Sequence, residues 1–307
     1  MNKILFLGTG SISFQHQENI RGIEIDVKQL RERDLDNINL GKYLIEEGIR
    51  LAVVCTTSAS HHQILEVLLQ HKIPFYCEKP LFLNNDNLNT FKAEHEETLI
   101  KCCVGFNLRY HPGIVYLKKI LKDSNERIGF QIHVAHDVTK WRKNRDYESL
   151  FSLKKELGGG AISELCHEID FANYLFDAHK VNSVKSFMDY WNKGVDGQSL
   201  ITLEGKNSMG SVYLDIISPE VRRSISCFSK NISLNLNLVE GTLQGIALSK
   251  EISKKFKYNR NNTLKESLLN FIDLNLNSSS DIAPLNNLYD CLDSSKLISK
   301  AYNLSEI

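Results

Sequence analysis

The sequence predicts an α/β protein with two parts: a doubly wound parallel sheet, and then an α+β region with a large, mostly antiparallel sheet. In the first third of the chain, short apolar runs alternate with stretches of helical periodicity, as in parallel strands joined by crossover helices. From residue 181 to residue 250, apolar and polar residues alternate within successive runs, which predicts strands with one solvated face. We place the domains at residues 1–120 and 121–307.

The predicted elements follow one another in a regular order. The strands expected in the first sheet lie at 3–7, 23–27, 51–55 and 73–77, and the helices between them at 11–19, 40–47 and 64–70. Elements expected in the second domain are strands at 128–138, 199–203, 210–214 and 232–238 and helices at 161–176, 263–275 and 285–302. The last two helices are amphipathic, and we assign no chemistry to them.

The first strand ends in a Gly-x-Gly turn, Gly8 and Gly10, directly before a helix. Such a turn lets the backbone approach a pyrophosphate at the positive end of the helix, so it predicts a dinucleotide-binding βαβ unit. Ser13 replaces the third glycine of the usual fingerprint and is small enough to be tolerated. The alternative is an ordinary strand-to-helix turn without a ligand.

The segment that would meet the adenosine ribose carries charges of both signs. In dinucleotide folds this residue lies roughly 20 positions beyond the glycines and is an acid for NAD or a basic residue for NADP. Arg31 mildly favours a 2′-phosphate, whereas Glu32 and Asp34 in the same stretch favour NAD. The predicted cofactor is therefore NAD or NADP, and a solvated charged loop is an equal alternative for each side chain.

Polar residues follow two further strands. Thr56 and Thr57 come after the strand at 51–55, and their small side chains allow a ligand to approach the backbone. Lys79 follows the strand at 73–77, and Pro80 fixes the turn that directs it. Its charge would stabilise an alkoxide as hydride leaves the same carbon. The alternative is a surface lysine paired with Glu78.

Composition excludes several classes of protein. Lys and Arg number 37, as do Asp and Glu, so there is no electrostatic reason to expect binding to nucleic acid or to an anionic membrane. The seven cysteines are scattered and include no Cys-x-x-Cys pair, which favours reduced thiols over disulfides or a zinc site. The sequence shows no signal peptide and no run of membrane-spanning length, so we expect a cytoplasmic protein without a resident metal.

Five segments occur in the order and at the separations typical of one enzyme family. They are Gly8-Thr-Gly-Ser-Ile12, His61 after the Thr/Ser-rich strand end, Glu78-Lys79-Pro80, Gly105-Phe-Asn-Leu-Arg109-Tyr-His-Pro112 and Gly158-Gly-Gly-Ala-Ile-Ser-Glu164-Leu-Cys-His167-Glu-Ile-Asp170. Together they resemble the Gfo/Idh/MocA oxidoreductases. The resemblance implies an N-terminal Rossmann domain that binds NAD(P) and a C-terminal domain that receives a sugar or similar polyol.

The resemblance also implies roles for individual residues. Lys79 would lie beside the nicotinamide and the reacting hydroxyl, with His167 as its acid/base partner. Glu164 stands three residues before His167, whereas the commonest pattern has an Asp and a His four apart. This variant looks like the branch found with surface-polysaccharide and nonulosonic-type sugars. The predicted cofactor-binding residues are Gly8, Gly10, Ser11, Ile12, Arg31, Thr56, Thr57, His61, Glu78 and Lys79.

The predicted helix at 161–176 carries the remaining catalytic candidates. Its apolar residues at helical spacing are Leu165, Ile169, Ala172 and Phe176. Glu164 and His167 then share a different stripe. A His near a helix start, flanked by acids, can exchange a proton with a sugar hydroxyl, and Glu164 would orient the imidazole or bind a second hydroxyl. A purely structural histidine is the alternative. The predicted catalytic residues are Lys79, His167 and Glu164.

Substrate contacts are predicted from two segments and from Asp170 of the predicted helix at 161–176. A basic, aromatic loop around Trp141 could stack a sugar or base and place arginines against a carboxylate or phosphate, and a solvated loop with one anchoring Trp is an equal alternative. The segment that begins at Gly105 leads toward the second domain. The predicted substrate-binding residues are Asn107, Arg109, Trp141, Arg142, Tyr147 and Asp170.

These observations predict an NAD(P)-dependent oxidoreductase that transfers a hydride between nicotinamide and a sugar or nucleotide-sugar carbon, in surface-glycan sugar biosynthesis. Two alternatives are a cofactor-retaining lyase that uses transient oxidation and a dinucleotide-binding sensor or scaffold without catalysis. The predicted partners are the small-molecule substrate and further copies of the chain, as a homodimer or homotetramer through the C-terminal sheet.

Overall fold

The computed structural model describes residues 2–84, 87, 91, 93–122, 124, 126–141, 151–188, 194–277 and 284–305. The chain forms two compact units, of which the first comprises Met1–Tyr110 and Asn259–Leu292 and the second His111–Tyr258 and Asp293–Ile307. This division differs from the expected boundary at residue 120, which falls inside the helix Pro112–Lys122. A second difference is that a late segment of the chain, Asn259–Leu292, belongs to the first unit.

The strands and helices of the described residues are as follows. The strands are β1 (Asn2–Leu7), β2 (Ile25–Leu30), β3 (Leu51–Val54), β4 (Phe75–Cys77), β5 (Cys103–Val104), β6 (Ile128–Ala135), β7 (Lys180–Met188), β8 (Asp196–Glu204), β9 (Ser208–Asp215), β10 (Arg222–Phe228), β11 (Ile232–Asn237), β12 (Thr242–Ala247) and β13 (Lys250–Lys255). The α-helices are α1 (Ser11–Asn19), α2 (Leu40–Glu47), α3 (Ser58–Gln70), α4 (Glu96–Leu99), α5 (Pro112–Lys122), α6 (Ala161–Glu164), α7 (His167–Phe176), α8 (Arg260–Leu276) and α9 (Leu288–Leu304).

The first unit is built on a parallel sheet in the order β2-β1-β3-β4-β5. Because β2 and β3 lie on opposite sides of β1, the direction of winding reverses at β1. Doubly wound sheets bind ligands at such a point, outside the carboxyl ends of the strands. The sequence therefore places its glycine turn, which follows β1, at the switch point.

Helix α8 packs on the first sheet, although it comes late in the chain. Its residues Leu268, Phe271 and Ile272 join strand residues such as Phe6 and Val53 in one buried cluster. The predicted helix at 263–275 is thus present, but it belongs to the first unit and not to the second domain. Amphipathic spacing shows that a helix has an apolar face, and it does not show which sheet that face covers.

The second unit contains an eight-stranded sheet in the order β13-β12-β11-β10-β6-β9-β8-β7. All its neighbouring strands are antiparallel except β6 and β9. Helix α7 packs on one face, where Phe176 stacks on Phe130 of β6 with ring centroids 4.6 Å apart. The predicted fold class, a doubly wound unit plus a mostly antiparallel α+β unit, is confirmed.

The predicted helix at 161–176 is divided into α6 and α7. At Leu165 the backbone leaves the helical conformation, with φ −103° and ψ 28°. The apolar face is confirmed because each of its four members is at most 5% exposed: Leu165, Ile169, Ala172 and Phe176. The polar residues His167, Glu168 and Asp170 are buried as well, so α7 is enclosed on more than its apolar side.

Candidate functional site

The turn after β1 requires glycine at its first position. Gly8 has φ +106°, and a Cβ there would stand 2.5 Å from the carbonyl oxygen of Cys55, which follows β3. Its backbone N–H donates to the carbonyl of Leu30 at the end of β2, at 2.8 Å. The carboxyl ends of three neighbouring strands are therefore brought together at this turn.

Gly10 has a different role, because it leaves space. It is the N-cap residue of α1 with an ordinary φ of −71°, and a Cβ there would meet no atom of the described residues within 4 Å. Glycine provides no side chain to cap the helix, and the start of a helix is a place that attracts an anion.

Ser13, in the position of the third glycine, is accommodated without exposure to solvent. The amide nitrogen of Gln29 lies 3.4 Å from its hydroxyl oxygen and 3.1 Å from the carbonyl oxygen of Gly8. Gln29 thus links β2 to both ends of the turn. The serine is compatible with close approach of helix and strand, as the sequence predicts.

The two threonines after β3 differ in their surroundings. Thr57 donates its backbone N–H and its hydroxyl to the Glu32 carboxylate, at 3.1 and 2.6 Å. The hydroxyl oxygen of Thr56 is buried and has no hydrogen-bond partner among the described residues. A buried polar atom without a partner is costly unless a ligand or water satisfies it.

Arg31, predicted to meet the cofactor, is paired with an acid of its own segment. Its Nε lies 2.9 Å from one carboxylate oxygen of Asp34, and its Nη2 lies 2.9 Å from the other. The hydrogen bond between them raises the pKa of Arg31 and lowers that of Asp34. The guanidinium is therefore engaged, and the neighbouring Glu32 carboxylate is held by Thr57.

His61, also predicted to touch the cofactor, is enclosed within the first unit. Its Nδ1 lies 3.1 Å from the carbonyl oxygen of Leu81, and its Nε2 lies 3.3 Å from that of Thr56. Burial lowers the pKa of the imidazole, and these hydrogen bonds oppose that shift. The ring links the segments that follow β3 and β4, so in the structure it supports the edge of the site.

Lys79 is half-buried directly after β4, and its peptide bond to Pro80 is cis. Glu78 is turned into the unit, where Oε1 lies 2.7 Å from Nε2 of the fully buried His16 on α1. The two residues of the Glu-Lys pair therefore have separate surroundings. Glu78 is bound to the helix that begins at the glycine turn.

Sequence reasoning missed His16, although the pattern of α1 contains a signal. The buried positions of this helix are the polar residues Ser13, His16 and Asn19 at i, i+3 and i+6, whereas Phe14 is 52% exposed. A helix with a polar buried face contradicts the usual amphipathic arrangement. The polar residues at the buried positions of α1, directly after the Gly-x-Gly turn, are the signal that could have pointed to His16.

Asn107 and Arg109, predicted as substrate contacts, lie inside the first unit. The side-chain amide of Asn107 donates to the hydroxyl of Thr263 on α8 at 2.8 Å. Arg109 is fully buried, and its two terminal nitrogens donate to the carbonyls of Leu285 and Asp290, both at 3.0 Å. Both side chains fasten the returning segment to the first unit.

The second unit contains the other catalytic candidates. Glu164 ends α6 and is half-buried, while His167 begins α7 and is buried. Asp170, one turn further along α7, is fully buried. These three residues belong to one short stretch of the second unit, whereas Lys79 belongs to the first unit.

An ion pair between a buried glutamate and a partly exposed arginine was not predicted. Glu168 of α7 is fully buried and accepts hydrogen bonds from Nε and Nη2 of Arg223 on β10, at 2.7 and 3.3 Å. Nearby, His111 accepts a hydrogen bond from the Gly113 N–H at Nδ1, 3.0 Å away. Burial, and then the charge of Arg223, lowers its pKa to about 4. The ring is therefore neutral near pH 7, with its proton on Nε2.

The space beside Gly160, the last glycine before α6, is occupied by another side chain of the protein. Gly160 has φ +121°, and a Cβ there would stand 2.0 Å from Oδ1 of Asp196. The same carboxylate accepts hydrogen bonds from the N–H of Ile162 at 3.0 Å and the hydroxyl of Ser199 at 2.7 Å. Burial raises the pKa of Asp196 to about 6. Asp196 therefore caps α6, a role that sequence reasoning missed.

Of the predicted aromatic loop, Trp141 is described, and its indole N–H donates to Nδ1 of His136. The rings meet edge to face with centroids 5.4 Å apart. Arg142 and Tyr147 lie outside the described residues.

No group of His, Cys, Asp and Glu that could hold a metal ion occurs in the described part of the chain. In that same part, no helix is long and apolar enough to cross a membrane.

The residues at the carboxyl edge of the first sheet fit a dinucleotide. The open space at Gly10 and the uncapped start of α1 suit a pyrophosphate, and the buried Thr56 hydroxyl has a hydrogen bond to offer. Gly8, Gly10, Ser11 and Ile12 would hold the phosphates, whereas Arg31 and His61 are engaged with protein groups.

Residues 11–106 match the model of the oxidoreductase family with an NAD-binding Rossmann fold, Gfo/Idh/MocA. The match confirms the resemblance to this family and places its NAD-binding Rossmann fold in the first unit. The five-stranded parallel sheet of that unit is the fold that this description names.

Individual relatives share about a quarter of their residues with this chain over the aligned segments. The chain is 24% identical over 209 residues to glucose-6-phosphate 3-dehydrogenase of Bacillus subtilis, covering 62% of this chain and 58% of the relative. It is 26% identical over 199 residues to inositol 2-dehydrogenase of Gluconacetobacter diazotrophicus, covering 58% and 55%. Both matches span less than two thirds of the relative's own length.

Among solved structures, the WlbA dehydrogenase of Bordetella pertussis in complex with NADH and UDP-GlcNAcA shares the fold, with a TM-score of 0.76 and 15% identity. The likeness covers 99% of this chain and 96% of that one.

Proposed function

We propose that this protein is an NAD(P)-dependent oxidoreductase that transfers a hydride between nicotinamide and the hydroxyl or keto carbon of a sugar or nucleotide-sugar. The observation that carries the proposal is the carboxyl edge of the first sheet, where an open glycine-led helix start and Lys79 follow strands of one parallel sheet. The two curated relatives named above are dehydrogenases of a sugar phosphate and an inositol, which supports a polyol substrate.

In this proposal the bound nicotinamide supplies the hydride acceptor or donor. Lys79 hydrogen-bonds to the reacting oxygen and stabilises the negative charge that develops there as the C–H bond breaks. His167 takes the hydroxyl proton during oxidation and returns it during reduction. Glu164 orients the imidazole or binds a second hydroxyl.

We propose NAD as the preferred cofactor. Arg31 is paired with Asp34, and the adjacent Glu32 carboxylate is fixed by two hydrogen bonds from Thr57. An acid in this region favours a ribose hydroxyl, whereas a 2′-phosphate needs an available cation. This reverses the mild preference for NADP that Arg31 gives in the sequence.

A nucleotide-sugar from surface-glycan biosynthesis is the proposed substrate class. It is supported by the likeness in fold to WlbA, which was solved with UDP-GlcNAcA.

We place the protein in the cytoplasm, which agrees with its seven cysteines being buried thiols. Self-association through the second-unit sheet is supported by apolar side chains that project from its strands: Phe187 is 74% exposed, Met209 70% and Ile246 53%.

Turnover on a panel of inositols, sugar phosphates and UDP-sugars with NAD or NADP tests the function, with net reduced cofactor as the signal. Lys79→Met and His167→Gln should each lower kcat by about 10² to 10⁴-fold. Lys42→Met, which removes an exposed lysine of α2, is the matched control and should keep full activity. Undiminished turnover in both site variants, or turnover without net reduced cofactor, would overturn the proposal.

A further inference from the structure

A buried polar contact joins the helix after the glycine turn to the strand end that carries Lys79. His16 stands on α1, and its Nε2 lies 2.7 Å from Oε1 of Glu78, the residue directly before Lys79. The imidazole is fully buried, and 11% of the Glu78 side chain is exposed. The contact is thus shielded from water and salt, which strengthens it relative to a surface pair.

The surroundings hold Glu78 in one place. A Cβ on Gly105 would stand 2.8 Å from Oε2 of Glu78 and 3.1 Å from its Cα, so this position must lack a side chain. The backbone N–H of Glu78 donates to the carbonyl of Val54 at 2.9 Å. On the other side, the ring of Tyr76 meets the imidazole edge to face, with centroids 5.3 Å apart.

The histidine depends on this contact as well. Its Nδ1 is buried and has no hydrogen-bond partner among the described residues, so Glu78 provides the hydrogen bond that orients the ring. An apolar residue in place of His16 would leave the enclosed carboxylate without this partner, which is strongly unfavourable. The carboxylate would then move toward water, and the backbone next to it carries Lys79.

We propose that His16 and Glu78 form a positioning pair that fixes the Lys79 amine relative to the glycine turn. The inference rests on the proposed function, since that function gives Lys79 its task. Helix α1 begins at the turn that would hold the pyrophosphate, so the pair connects the phosphate-binding end of the site to its reacting end. His16 and Glu78 act through Lys79.

The test follows Lys79 directly in the full chain. Reductive methylation with carbon-13 gives each lysine a methyl NMR signal, and Lys79→Arg identifies the Lys79 signal by its loss. We expect this signal to shift or broaden in His16→Met, with and without NADH. In His16→Gln, the amide nitrogen takes roughly the place of Nε2 and keeps the donor, so the signal should stay at its wild-type position.

His71→Met is the matched control, because it removes another ring of the first unit. The Nδ1 of His71 lies 2.9 Å from the carbonyl oxygen of Val67, and the ring fills the space beside Gly41. This variant should lower the melting temperature without moving the Lys79 signal. A Lys79 signal in His16→Met that coincides with the wild type, or that His71→Met moves equally, would overturn the positioning role.

Turnover gives a second readout that a purely structural role would not change. In His16→Met, kcat should fall by about 10²-fold, as expected for a misplaced reacting group, while the KM for NAD changes much less. His16→Gln should restore kcat. Titration of the wild type with NADH is measured separately. Failure to bind would refute the proposed function, whereas the Lys79 signal in the cofactor-free variants would still decide the positioning role.

Discussion

Each of the two units contains a glycine directly before a helix, Gly10 in the first and Gly160 in the second, and these two glycines have different surroundings. A Cβ on Gly10, before α1, would have no atom of the described chain within 4 Å, whereas a Cβ on Gly160, before α6, would stand 2.0 Å from a carboxylate oxygen of Asp196. In the second unit the protein supplies its own anion for the helix start. In the first unit no described side chain comes that close to the Cβ position of Gly10, which supports the proposed phosphate site there.

Sequence alone does not distinguish these two cases. Asp196 comes from β8, 34 residues beyond Ile162, whose N–H it accepts. Only the fold brings that carboxylate to the glycine run. A glycine before a helix therefore indicates a close approach, and the identity of the approaching group has to be found in three dimensions.

Gly10→Asp should abolish most of the binding of NADH. Its carboxylate would occupy the open space and repel the pyrophosphate, so NADH binding should weaken by about 100-fold or more. The melting temperature should change little, because the side chain enters free space. Gly10→Asn, which has the same size without the charge, should lose much less affinity. Equal losses in the two variants would contradict a phosphate site at Gly10.

Gly160→Ala tests the opposite case. The added Cβ meets Asp196 at a positive φ, so unfolding of the second unit should become easier by about 2–4 kcal/mol. Both tryptophans, Trp141 and Trp191, fall within the sequence of that unit, so their fluorescence in urea reports on it. NADH binding to the folded protein should not change.

Gly194→Ala is the control for this variant. Gly194 also has a positive φ, +74°, but in the part of the chain that the structure describes a Cβ there would meet nothing within 4 Å. Its substitution should cost only the backbone term, on the order of 1 kcal/mol. If Gly160→Ala costs no more than Gly194→Ala, the contact with Asp196 has no role in excluding a side chain.

The stability of the second unit should also depend on pH. Burial raises the pKa of Asp196 to about 6 from its ordinary 3.8, so its contribution to stability is complete below pH 3.8 and is lost as the pH rises through 6. Relative to Asp196→Asn, the wild type should lose roughly 2–3 kcal/mol of unfolding free energy between these limits. Tryptophan fluorescence in urea at several pH values measures the difference. A difference that does not depend on pH would show that the Asp196 carboxyl is not perturbed.

The parts of the fold that were predictable have local signals. Apolar runs of strand length, the Gly8 turn and the helix caps act within a few residues. For example, Asn39 accepts the Lys42 N–H at 2.9 Å and Gly48 ends α2 with φ +65°. The parts that were missed depend on distant partners. Arg109 has the sequence context of a substrate ligand, and its partners are backbone carbonyls about 180 residues away.

We propose that the start of α1 binds the pyrophosphate of NAD(H), and a crystal structure of the full chain with saturating NADH would show where the cofactor lies. Pyrophosphate oxygens should lie about 3 Å from the backbone nitrogens of Ser11 or Ile12, over the open side of Gly10. Cofactor density elsewhere on the protein, with the helix start filled by solvent, would contradict the claim.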